Sequence, residues 1–147
     1  MDKIVLDTNV IVSALLTEGY PARILSNLVL ARNVLFCLSD EVWQEYIHVL
    51  HRPKFAKYPA FTAQAEIVLS QLENVAFMFQ PDITLSVIPT DESDNKFVEL
   101  AVYAEANFLI TGNINDFTFT RYERVQIISP QKYWEQYGKF LLNLEQF

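Results

Sequence analysis

The chain is short of most of the features that would place it in a specialised class. It holds one cysteine, Cys37, so no internal disulfide can form and the fold must rest on its core. Three glycines are its whole complement, and no Pro/Gly/Ser-rich linker, repeat or low-complexity tract divides it. Basic residues are scarce: 11 Lys and Arg stand against 18 Asp and Glu, for a net charge of −7. That balance argues against a broad basic face of the kind that grips nucleic acid. No apolar run approaches the ~18 residues a membrane helix needs. Met1-Asp2-Lys3 lacks the basic and apolar regions of a secretory signal, so a cytoplasmic protein with no membrane partner is expected. A Gly-rich phosphate loop is also missing, which leaves nucleotide-triphosphate hydrolysis without support.

What is present is hydrophobic material. Hydrophobic residues make up 51% of the 147 positions and aromatics 14%, enough for a sizeable core. The length suits a single domain over 1–147, with a C-terminal tail from about 138. Ile4-Val5-Leu6 reads as a short buried strand ending at Asp7-Thr8-Asn9, and Val10 to Leu16 as a helix. Pro21 suits a first helical position, and Ile24, Leu25, Leu28 and Val29 follow at helical spacing. Val34 to Leu38 predicts a second strand. Ser39-Asp40-Glu41 then opens a helix to about Leu50, which Arg52-Pro53 ends. Thr62 is the expected cap of a helix to about Leu72, with weaker strands at Val75 to Phe79 and Leu85 to Ile88. Ser93 or Asp94 caps a helix carrying Phe97, Leu100, Ala101 and Ala104, which Asn107 ends in a left-handed conformation. Phe108 to Thr111 and Val125 to Ile128 are further strands, and Pro130 opens a last helix through Tyr137. Strands alternating with helices imply βαβ units and a mainly parallel sheet in an α/β chain.

In such sheets ligands sit beyond the carboxyl ends of the strands, where strand order reverses. Four acids fall there on this reading. Asp7 ends the first strand, Glu45 lies on the helix after the second, Asp94 opens the helix before Phe97, and Asp116 follows the Phe108–Thr111 strand. Asp91 stands one helical turn before Asp94. Carboxylates gathered in one cleft repel one another unless a cation compensates. Oxygen ligands without matched Cys or His suit Mg²⁺ or Mn²⁺ rather than zinc. Two such ions about 4 Å apart can polarise a phosphodiester and stabilise its leaving oxygen. Each acid also has an ordinary reading: a solvated surface group, a helix cap for Asp94, a turn terminator for Asp116.

Ile-Val-Leu-Asp-Thr-Asn-Val followed by Val12-Ser13-Ala14-Leu15 resembles the opening of PIN-domain nucleases. The resemblance continues through Ser39-Asp40-Glu41, Glu45-Tyr46, Arg52-Pro53-Lys54-Phe55, Asp91-Glu92-Ser93-Asp94-Asn95-Lys96-Phe97, Leu109-Ile110-Thr111-Gly112-Asn113 and Ile128-Ser129-Pro130. It spans residues 3 to about 134. It implies a three-layer α/β/α sandwich and a Mg²⁺- or Mn²⁺-dependent ribonuclease acting on single-stranded RNA. Many relatives of this size are VapC-like toxins, usually homodimers, restrained by a cognate antitoxin. Carried over by position, Asp7, Glu45 and Asp94 match the family's main acids. Many relatives have Asp where Asn113 stands, others Asn with an acid close behind, as Asp116 is here, so one or two metals remain open. Thr8 and Thr111 are expected to orient carboxylates or waters, and Asn9 to cap the following turn.

Other classes stay in view. One is a catalytically weak or inactive binding or dimerisation module on the same fold, motivated by uncharged Asn113. Another, weaker, is a phosphatase using Asp7 as nucleophile, disfavoured because Asn9 stands where a second Asp is wanted. His48 and His51 have no visible nucleophile or zinc cluster beside them and read as exposed positions at a helix end. Cys37 reads as a small core residue. Arg52, Lys54 and Lys57, interleaved with Phe55 and Tyr58, suit either RNA-backbone contact or an ordinary solvated segment. Tyr133-Trp134, expected to be exposed, and the tail Phe140-Leu141-Leu142 offer contacts for a second subunit.

Overall fold

A computed structural model describes residues 1–82, 94–117 and 119–142, apart from the side chain of Asp116. Strand β1 (Lys3–Leu6) leads directly into helix α1 (Thr8–Leu16). Helix α2 (Tyr20–Arg23), with Pro21 in its first turn, passes into a π-helical segment, Ile24–Val29. Strand β2 (Leu35–Ser39) and helix α3 (Asp40–Leu50) follow, then a 3₁₀ turn at Pro53–Phe55 and the long helix α4 (Pro59–Val75). Strand β3 (Phe77–Phe79), helix α5 (Asn95–Tyr103) and strand β4 (Phe108–Ile110) come next. After a 3₁₀ turn at Ile114–Asp116 the chain forms β5 (Arg121–Tyr122), β6 (Val125–Ile128), α6 (Pro130–Tyr133), a π-helical turn at Trp134–Gly138 and α7 (Lys139–Leu141).

The strand order is β3-β2-β1-β4-β6-β5. Every pairing is parallel except β5–β6, and helices cover both faces, the three-layer α/β/α arrangement expected. Central β1 explains its own sequence: Ile4, Val5 and Leu6 are fully buried because neither face of the strand meets water. The chain runs outward from β1 through β2 to β3, then returns to β1's other side as β4. The order therefore reverses between β1 and β4, and a crevice opens beyond their carboxyl ends.

Several local expectations change. Helix α4 begins at Pro59, whose fixed φ suits the first turn, so Thr62 lies inside the helix. Helix α5 is closed by Glu105 in the left-handed region (φ 56), not by Asn107, whose Oδ1 accepts from the Lys3 N–H at 2.8 Å. The short antiparallel β5 was not foreseen; Glu123, at φ 53, turns the chain between it and β6. Gly138 lies in contact with the core: a β-carbon there would stand 2.9 Å from Leu28 Cδ1. Tyr133 and Trp134, expected to be exposed, are buried, Tyr133 with its ring against Phe108, because the last helical segment packs on the sheet. Residues 138–142, where the tail begins, are helical, and the Leu85–Ile88 strand candidate lies outside the described residues. Among the described residues, no helix is long and apolar enough to cross a membrane.

Candidate active site

Asp7 is placed by the sheet itself. Its N–H donates to the Ile110 carbonyl at 3.0 Å, extending the β1–β4 ladder, while its φ and ψ (−63°, 147°) remain extended as α1 begins. Thr111 holds the matching position after β4, its N–H donating to the Ile128 carbonyl at 3.0 Å. The two side chains meet: Thr111 Oγ1 donates to Asp7 Oδ2 at 2.7 Å. Thr111 Oγ1 also accepts from the Asn113 N–H at 3.0 Å, so one fully buried hydroxyl fixes both the acid and the following turn. Asn9 clamps the same junction. Its Nδ2 donates to Asp7 Oδ2 at 3.4 Å and its Oδ1 accepts from the Gly112 N–H at 3.1 Å, so it caps the turn after β4 and not its own.

Glu45 arrives from α3. Ser39 caps that helix by accepting from the Val42 N–H at 3.2 Å, and Asp40 and Glu41 complement its first turn. Tyr46, fully buried, donates its hydroxyl to the Leu6 carbonyl at 2.5 Å, which pins α3 to the carboxyl end of β1. Both oxygens of the adjacent Glu45 are engaged: the Thr8 hydroxyl donates to Oε2 and Lys96 Nζ to Oε1, the latter at 2.8 Å. Tyr46 and Lys96 were given no role on sequence grounds. The available signals were an aromatic beside a candidate acid on an apolar helix face, and a lysine in the first turn of α5, where a cation is ordinarily disfavoured.

Asp7, Thr8, Asn9, Glu45, Asp94 and Asn113 line one cleft of about 290 Å³, rimmed by Arg52, Lys54 and Phe55. Asp94 is the N-cap residue of α5, yet its carboxylate makes no capping bond to that helix. The side chain of Asp116 and all of Asp91 lie outside the described residues. Phe55 is buried and stacked on Phe61 at 4.3 Å, so that ring is committed to the core and not to a base. His51 ties α3 to α4, with Nδ1 on the Ile47 carbonyl and Nε2 on Glu66, while His48 is exposed. Cys37 is buried among apolar residues, and burial raises its thiol to about 11, so it is inert.

The Asp7 carboxyl is raised above its ordinary range, chiefly by burial. The Thr111 hydroxyl opposes the shift, the Glu45 charge adds to it, and the backbone amides of Asn9 and Thr8 oppose it. Lys96 balances Glu45, but the buried Asp7 carboxylate remains unfavourable in its charged form, and a divalent ion would relieve that. Among the described residues, no group of three or more His, Cys, Asp or Glu side chains is close enough to encage an ion. Mg²⁺ and Mn²⁺ fit all the same, because a hard ion that keeps most of its water is held by one or two carboxylates plus substrate phosphate. Asp7 and Glu45 are two carboxylates of the cleft that could serve as that pair.

The chain belongs to the PIN domain family, which matches residues 3–115. It is 28% identical over 149 residues to the uncharacterized protein MJ1680 of Methanocaldococcus jannaschii, covering 95% of this chain and 94% of that protein. Its fold is that of two solved structures. One is VapBC2 from Rickettsia felis bound to a DNA fragment from their promoter, with TM-score 0.57 and 17% identity, covering 86% of this chain and 98% of the other. The second is FitAB bound to IR36 DNA fragment, with TM-score 0.56 and 19% identity, covering 86% and 94%.

Proposed function

We propose that the protein is a Mg²⁺- or Mn²⁺-dependent endoribonuclease that cleaves single-stranded RNA and acts as the toxin of a toxin–antitoxin pair. The observation that carries this reading is the convergence of Asp7, Glu45 and Asp94, delivered by three separate elements, on one cleft at the switch point of the sheet. Asp7 and Glu45 would hold the ion directly, and Asp94 and Asp116 would act on it through the waters it keeps. When bound, it supplies the Lewis acidity that polarises a phosphodiester and acidifies an attacking water. The chain's own groups do the rest. Thr111 and Asn9 fix Asp7, Thr8 fixes Glu45, and Arg52 and Lys54 at the rim offer charge to the backbone phosphates beside the cleavage point. In a molecule of net charge −7, that local rim is the grip available to RNA, in place of a broad basic face.

The similarity in fold to VapBC2 and FitAB supports a cognate antitoxin as partner, and a homodimer is proposed with it. Purified protein is assayed on single-stranded RNA with Mn²⁺ and with chelator. Cleavage should require the ion and fall at least a hundredfold in Asp7→Ala plus Asp94→Ala, the scale on which essential catalytic groups act; unchanged cleavage by that variant overturns the reading. The uncharged Asn113 favours one alternative, a catalytically inactive binding or dimerisation module. It requires that calorimetry find no Mn²⁺ affinity at the cleft.

A further inference from the structure

We infer that Lys96 is the resident counter-ion of the cleft: in the metal-free protein its ammonium holds Glu45 Oε1, and a divalent ion takes that oxygen by displacing it. The inference rests on the metal-dependent reading of the site and goes beyond it by naming the group the ion must compete with. Thr8 and Lys96 hold Glu45 in different ways. Thr8 is a neutral donor on Oε2, and a carboxylate oxygen accepts a cation alongside a hydroxyl. Lys96 brings a full charge to Oε1 at 2.8 Å, with its side chain and that of Glu45 17% and 19% exposed. A second cation on that oxygen meets repulsion that water only partly screens.

The position of Lys96 supports exchange. It lies in the first turn of α5, where the helix dipole disfavours a cation, and the Glu45 carboxylate offsets that. Lys96 also lines the hollow next to the cleft, together with Asp40, Glu41, Asp82 and Glu99. An ammonium released from Glu45 therefore still faces acidic surroundings.

The test is calorimetric titration of metal-free protein with Mn²⁺, alone and in Lys96→Met, Lys96→Arg and Glu45→Gln backgrounds. Lys96→Met, which keeps the stem and removes the charge, should bind Mn²⁺ about tenfold more tightly. Lys96→Arg should remain within about twofold of the wild type, and in Glu45→Gln the Lys96→Met change should lose its effect, since the competition acts through that carboxylate. Lys96→Gln, expected to shift in the same direction as Lys96→Met, is measured in parallel in case methionine prevents folding. Unchanged or weaker Mn²⁺ binding in the uncharged variants, or an equal gain in Glu45→Gln, overturns the inference while wild-type binding leaves the metal reading standing. Absence of Mn²⁺ binding by the wild type overturns both.

Discussion

Replacing Asp7 by Asn separates what the cleft does from what it costs the fold. The substitution keeps the shape and the Thr111 bond but removes a charge that burial and Glu45 both disfavour. Two effects compete. A hydrogen bond to an ionised group contributes about 1.5–3 kcal/mol against roughly 1 for a neutral pair, so Asp7→Asn forfeits part of the Thr111 bond. Relief of burial and of the like charge acts the other way, and it prevails because the net shift of the carboxyl is upward. The metal-free variant should be more stable than the wild type by about 1 kcal/mol at neutral pH, within the usual range for removing a functional strain. For a chain of this size that is a melting temperature higher by roughly 2–4 °C.

The pH dependence has a fixed sign. The folded carboxyl titrates above its unfolded value of 3.8, so the wild type carries no penalty below 3.8. The penalty grows as pH rises from there through the raised folded value and is complete above it. The advantage of Asp7→Asn must therefore vanish in acid. Saturating Mn²⁺ should reverse the order, because a ligand at a hundred times its dissociation constant stabilises the wild type by about 2.7 kcal/mol, while the variant has lost a ligand. The assay is thermal unfolding with chelator and with Mn²⁺ from about pH 3 to pH 8. A metal-free Asp7→Asn protein that melts below the wild type at pH 7 refutes the view that burial and repulsion dominate this residue.

Two further outcomes follow from packing. Tyr46→Phe removes the hydroxyl from the Leu6 carbonyl in a fully buried position, at a cost of about 1–3 kcal/mol in chemical denaturation, and it should weaken Mn²⁺ binding severalfold by loosening α3. Gly138→Ala places a methyl group 2.9 Å from Leu28 Cδ1 and 3.3 Å from Trp134 Cε3. Leu28 is fully buried and cannot swing aside, so overpacking of about 1–3 kcal/mol outweighs the roughly 1 kcal/mol gained in helix propensity. The melting temperature should fall with Mn²⁺ affinity unchanged.

The fold was legible in the sequence where one physical signal dominated. An apolar tripeptide running into Asp7-Thr8-Asn9, the Ser39 cap with its first-turn acids, and the 3.6-residue spacing from Phe97 each reflect a local cause, and each element stands where expected. Long-range consequences were less visible. Nothing local to Asn9 says that its carbonyl will cap Gly112, or that the Tyr46 hydroxyl will find Leu6; both depend on β1, β4 and α3 converging. The π-helical turn at Ile24–Val29 escapes periodicity because its buried Ile24, Leu25, Leu28 and Val29 keep ordinary α-helical spacing, so the wider turn leaves no mark on the pattern. Within the site, strand order pointed to Asp7, Glu45 and Asp94, which line the cleft, but not to Lys96 reaching Glu45 from the first turn of α5.

The central place of β1 also sets a clock. The first acid of the cleft emerges from the ribosome at position 7, but the hydroxyl that fixes it is 104 residues further on, and β4 must dock before the two can meet. At a synthesis rate of about 5–20 residues per second, the nascent chain spends roughly 5–20 s with Asp7 unassembled. Whatever this cleft does is withheld until most of the polypeptide has been made, and a message that ends before β4 yields no assembled site.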